Sequence, residues 1–142
     1  MKKILKLLLI SLLLTSCQTM DKNEICINDI CFEIEIRDTY EERAEGLMNK
    51  EELDENKGMF FIFNESSKYS FWMKNTLIPL DIIWIDENLK IVWIEENVEP
   101  CKEDPCPSYI PEENAIYVLE INAGLSEQYG FKINDKTELK IL

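Results

Sequence analysis

Residues 80–94 read Leu-Asp-Ile-Ile-Trp-Ile-Asp-Glu-Asn-Leu-Lys-Ile-Val-Trp-Ile. Two short apolar runs rich in β-branched and aromatic residues flank the turn-forming Asp86-Glu87-Asn88, so the stretch predicts a β-hairpin at the centre of the core. Pro79 marks the break before it. On the N-terminal side, Tyr69, Phe71 and Met73 alternate with Ser70, Trp72 and Lys74 as in a strand, and Gly58-Met59-Phe60-Phe61-Ile62-Phe63 is short enough to be a buried one. Ile30, Phe32, Ile34 and Ile36 alternate with Cys31, Glu33, Glu35 and Arg37, which predicts a half-buried strand ending at Asp38.

Between these strands, Thr39-x-x-Glu42 has the form of a capping box, and residues 40–47 suit a helix of about two turns that Gly46 helps to end. Residues 49–55 suit another turn. On the C-terminal side, residues 97–114 hold four of the five prolines and two cysteines, predicting a long clipped loop. Residues 115–121 read as a strand, 124–129 as a helical turn closed by Gly130, and 137–141 as a final strand. No repeat and no second-domain boundary is visible. The expected fold is mainly β (α+β): a compact antiparallel, barrel-like sheet with one or two short helices.

Residues 1–16 carry Lys2, Lys3 and Lys6, an apolar run from Leu7 to Leu14, and Leu14-Thr15-Ser16 before Cys17. This is the pattern of a signal peptide, with an apolar run well short of the about 20 residues of a membrane span. Leu-Thr-Ser-Cys resembles a bacterial lipobox, which makes Cys17 the expected lipid attachment point. The alternative is an uncleaved N-terminal anchor. Both place the domain outside the cytoplasm, membrane-held and facing the periplasm or the cell exterior. Residues 17–23 are a polar tether, and residues 24–142 are expected to form a single domain.

Without the leader, 12 basic side chains face 28 acidic ones, a formal charge of −16. Such a charge repels phosphate backbones and makes nucleic acid a poor partner. The acidity reads as a solvated surface with no specific partner, ahead of the alternative of a dedicated cation-binding face. Four cysteines remain in two pairs of equal spacing, Cys26/Cys31 and Cys101/Cys106. In an oxidising compartment they predict two local disulfides, with a four-thiolate zinc site as the alternative. For the first pair, Ile25-Cys26-Ile27 and Ile30-Cys31-Phe32 around Asn28-Asp29 form a hairpin whose register sets Cys26 opposite Cys31 on the more exposed face.

The chain has no histidine, which excludes Ser-His and Cys-His nucleophiles and any histidine metal site. No phosphate-cradling or dinucleotide loop is present, and neither a cofactor nor a metal site is assigned. Polar residues inside apolar stretches stand out: Lys74-Asn75 after Phe71-Trp72-Met73, and Asp81 within Leu80-Asp81-Ile82. A charge there must be exposed or paired. One reading is a cleft where Arg43, Lys74, Asn75 and Asp81 meet a small ligand or an envelope protein beside Trp72. Another is a structural network in which Arg43 pairs with Asp81. An enzymatic alternative uses Asp81 as acid or base tuned by Lys74. Met48, Met59 and Met73 could serve Cu(I) if they converge, though methionine is commonly core filler.

Arg43-x-x-Gly46-Leu47-Met48, Gly58-Met59-Phe60-Phe61, Phe71-Trp72-Met73-Lys74-Asn75-Thr76-x-x-Pro79-Leu80-Asp81, Pro100-Cys101, Cys106-Pro107 and Tyr117-Val118-Leu119-Glu120 together resemble the family known as domain of unknown function 192. The resemblance spans nearly the whole mature chain. It implies a compact, mostly β fold, often exported and sometimes lipid-anchored, and no activity. Cys101 and Cys106 resemble the family's proline-flanked pair, while Cys26 and Cys31 look like an addition. Asn49-Lys50 departs from the family, which often has a basic residue directly after Met48.

Overall fold

A computed structural model describes residues 22–142, so the expected leader and Cys17 lie outside the described residues. β1 (Glu24–Ile27) and β2 (Ile30–Arg37) form the expected hairpin, with Ile27 opposite Ile30 and Cys26 opposite Cys31. Asn28 takes the turn at φ 54°, a left-handed conformation that Asn tolerates well. Ile25, Ile27 and Phe32 are buried, and the cysteines are on the opposite, more open face.

Thr39 then caps α1 (Tyr40–Glu45): its hydroxyl accepts from the Glu42 N–H at 3.3 Å, and the Glu42 carboxylate accepts from the Thr39 N–H at 3.2 Å. The helix stops at Gly46, before the expected end at residue 47, because Gly46 leaves the helical region at φ +50°. Residues 49–55 form bends and turns instead of the expected helical turn. The chain returns in β3 (Lys57–Ser67), which runs longer than expected and lies parallel to β2. This parallel pair is one departure from an all-antiparallel sheet, and the crossover through α1 makes it possible.

β4 is only Phe71–Trp72, where a longer strand was expected. It stops because Asn75 adopts φ 55° and the Thr76 N–H turns back to the Met73 carbonyl. β5 (Leu80–Ile85), wholly buried, and β6 (Ile91–Val98) form the predicted hairpin. The proline-rich loop contains a strand that the pattern did not disclose, β7 (Ser108–Tyr109), which pairs with β4. β8 (Ala115–Asn122), α2 (Leu125–Tyr129) and β9 (Thr137–Lys140) follow as expected.

The main sheet has seven strands in the order β6-β5-β8-β3-β2-β1-β9. It curls until its edge strands approach at one end, where Lys90 bridges Lys136 and the Thr137 N–H donates to the Leu89 carbonyl at 2.7 Å. The result is a half-barrel. Strand alternation divides the core between its faces. Phe32, Phe60, Ile83, Leu119 and Ile121 fill one side. Met59, Phe61, Ile82, Trp84 and Val118 line the other, covered by Leu47 and Met73.

Candidate functional site

Two acids are buried in the central strands, Asp81 on β5 and Glu120 on β8. The antiparallel register sets Asp81 opposite Ile121, and Ile82 opposite Glu120. Alternation therefore turns the two carboxyls to opposite faces of the sheet. Asp81 shares the side of Ile83 and Ile121, and its carboxylate accepts N–H groups from Asn97 at 2.8 Å, Gly124 at 3.1 Å and Ser126 at 2.8 Å. It thus ties the end of β6 and the first turn of α2 to β5. This corrects the expected cleft: Asp81 does not share a site with Lys74, Arg43 is not its partner, and a fully buried carboxylate with this set of donors is not placed to act as an accessible acid or base.

On the other face, Arg43 leaves α1 and donates through Nη1 to the Ile62 carbonyl at 2.9 Å and to the Asp38 carbonyl. Its guanidinium lies over the Phe63 ring, 4.9 Å from the centroid. Lys74 Nζ lies 5.2 Å from the centre of the Trp72 indole. Asn75 works mainly through its backbone, whose carbonyl accepts from the Asn49 N–H at 2.8 Å, while its side-chain amide reaches the Met48 sulfur at 4.0 Å. The structure thus brings Arg43, Trp72 and Lys74 together, with Asn75 bracing the loop behind them.

These residues surround an acid that sequence reasoning passed over. Glu120 projects from the apolar face between Met59 and Ile82 into a small cavity of about 30 Å³, also lined by Arg43, Met48, Phe61, Trp72, Lys74 and Thr76. No hydrogen bond or ion pair from another described residue reaches its carboxyl, and burial pushes its pKa up to about 8. The carboxyl is therefore mostly neutral at pH 7. Gly58 makes the close strand packing here possible, since a Cβ at that position would lie 2.9 Å from Leu119 Cδ1 and 3.0 Å from the Glu120 carbonyl oxygen.

A larger open groove of about 610 Å³ shares Arg43, Ala44, Phe71 and Trp72 with the small cavity and extends past Tyr40, Phe63 and Tyr69. Tyr40 and Trp72 are 75% and 48% exposed along it, a large aromatic surface to leave in water. The cysteines stand as the two expected pairs, with Cα separations of 4.0 Å for Cys26–Cys31 and 5.6 Å for Cys101–Cys106. Met59 and Met73 are core residues, whereas Met48 lines the small cavity.

The model of the domain of unknown function 192 family, described as "Uncharacterized ACR", matches residues 23–139. The chain belongs to this family. The chain is similar to a solved protein of unknown function from Novosphingobium aromaticivorans DSM 12444, at 34% identity and a TM-score of 0.76 over 81% of this chain and 83% of that one. It is also similar to a protein of Sinorhizobium meliloti 1021 described as a candidate transcription regulator, at 30% identity and a TM-score of 0.75 over 82% and 91%. No curated protein sequence matches. For this member of the domain of unknown function 192 family, Glu120 ends the Tyr117-Val118-Leu119-Glu120 stretch that carried part of the resemblance. The signal that could have marked it is the one that marked Asp81, a lone acid in an apolar strand.

Proposed function

We propose that this protein is an exported, lipid-anchored binding module whose open groove holds a small ring-bearing ligand against Trp72 and Tyr40. The observation that carries the reading is the groove itself, an exposed aromatic wall ending at a cavity with a buried acid. Ligand sites characteristically combine apolar and aromatic walls with a few convergent polar groups. The leader pattern and Leu-Thr-Ser-Cys17 support export and anchoring. The acidic charge argues against carrying over a nucleic-acid role from the Sinorhizobium meliloti relative.

Binding is tested by titrating benzamide and glucose, both ring-bearing, against the protein and following the Trp72 indole and Ala44 methyl signals by NMR. Saturable shifts for at least one compound, lost in Trp72→Ala, are expected; their absence for both would reject the groove as a binding site. For the anchor, Cys17→Ser is expected to move the protein from the membrane to the soluble fraction, and retention in the membrane would reject it.

A second reading is favoured by one observation. A carboxyl kept protonated near pH 7 is suited to act as a general acid, so an envelope enzyme of this fold would use Glu120 rather than Asp81. Turnover that survives Glu120→Gln would dismiss it.

A further inference from the structure

We infer that the inner end of the groove recognises a carboxylate, so that the ligand is a small ring-bearing acid whose anionic group sits among Arg43, Lys74 and Glu120. The inference rests on the groove being a binding site and goes beyond it by naming the chemistry. Arg43 is fixed by bonds from Nη1 to two backbone carbonyls and by the Phe63 ring, and among the described residues no carboxylate pairs with it. Among the described residues, its Nε and Nη2 hydrogens have no acceptor. Lys74 is held over the Trp72 indole in the same way, by a ring rather than by an acid. Both cations line the cavity into which Glu120 projects, and neither forms an ion pair with it.

Glu120, protonated, is a hydrogen-bond donor at the floor of the cavity. A carboxylate oxygen entering there would accept from it while the second oxygen stays within reach of the cations. The cavity, about 30 Å³, has room for a group of about the size of a water molecule. A flat carboxylate reaches so small a cavity with one oxygen at less steric cost than a bulkier tetrahedral phosphoryl group. The outer groove then receives the ring against Trp72.

The charged groups facing Glu120 are Arg43 and Glu45 from α1 and Lys74 from the segment after β4; Met59 on β3 and Ile82 on β5, which flank it, do not titrate. Ionisation of Glu120 replaces the donor by a second anion, so carboxylate affinity falls as pH rises through about 8.

The test compares benzoate, benzamide and phenyl phosphate on the full mature protein, read at the Met48 and Ala44 methyl signals. Benzoate is expected to bind roughly tenfold more tightly than benzamide, the scale of one hydrogen bond to a charged group. Phenyl phosphate should gain no such advantage. Lys74→Met, at an exposed position, should bring benzoate to the level of benzamide. Between about pH 6.5 and about pH 9 the preference for benzoate should vanish in the wild type and persist in Glu120→Gln, a difference that a merely structural Glu120 would not produce. Equal binding of benzoate and benzamide would overturn the carboxylate inference and leave the groove standing. Phenyl phosphate binding as tightly as benzoate would also overturn it. Binding by none of the three would remove the groove reading as well.

Discussion

Asp81 and Glu120 lie on adjacent strands and face opposite sides of one sheet, and burial treats them differently. Three backbone N–H groups satisfy the Asp81 carboxylate. Hydrogen bonds to a charged group each contribute about 1.5–3 kcal/mol, and Asp81→Ala leaves three donors without their acceptor, so a loss of roughly 3–5 kcal/mol is expected from urea unfolding. Asp81→Asn retains one acceptor oxygen and should lose less. Among the described residues no such donor reaches Glu120, and its pKa of about 8 exceeds its ordinary 4.5. The fold therefore favours its neutral form. The cost of this is absent below about pH 4.5, grows between there and about pH 8, and is complete above, reaching a ceiling of roughly 4–5 kcal/mol. Glu120→Gln removes that cost but buries an amide, at about 1–3 kcal/mol. The variant should melt below the wild type at pH 4 and above it at pH 8.5, and a melting difference independent of pH would show that Glu120 ionises freely in the folded protein. Asp81 stood out in the sequence as a charge in an apolar strand, whereas Glu120 carried the same signal and was passed over. What pattern alone could not supply was the partner: the donors of Asp81 come from residues 16 to 45 positions away, and the register of β5 on β8 decides which face each acid takes.

Among the elements, the β4–β7 ribbon governs the groove because it carries Trp72. Its paired residues are only Phe71 with Tyr109 and Trp72 with Ser108, too little pairing to persist unaided. Phe71 secures it from below, edge-on to Phe61 at 5.0 Å and to Trp84 at 5.7 Å. The Cys101–Cys106 disulfide closes the loop leading into β7, and the Cys101 N–H meets the Met73 carbonyl. Replacing both cysteines by serine should cost about 2 kcal/mol, the chain-entropy value for so short a loop. It should also speed amide exchange at Phe71, Trp72, Ser108 and Tyr109. The same change at Cys26 and Cys31, within a hairpin of the main sheet that does not pair with this separate ribbon, should leave those amides unaltered. Elements set by local chemistry were legible: the Thr39/Glu42 capping box and the Asn28-Asp29 hairpin each depend on residues within a few positions. β7 was hidden because two residues in a proline-rich loop carry no period. The parallel β2–β3 pairing was hidden because alternation reports a strand's faces and not its neighbour.

At the scale of the whole molecule, charge acts in two opposite senses. Residues 17–142 carry a formal charge of −16, and surface pairs such as Lys22–Glu33, Arg37–Glu35 and Lys57–Asp54 offset little of their self-repulsion. Raising salt shortens the screening length from about 30 Å at 0.01 M to about 10 Å at 0.1 M, less than the width of the domain. Stability should therefore increase with salt, and a gain near 1 kcal/mol would raise the melting temperature by about 4 °C in a domain of this size. The groove reverses that dependence. There Arg43 and Lys74 attract an anion, and the same screening should weaken benzoate binding over the salt range that stabilises the fold. Melting temperature and benzoate affinity moving in opposite directions would locate the attractive field at the groove and the repulsive field over the rest of the surface. If both rise together, ring stacking on Trp72 holds the ligand and the cations do not.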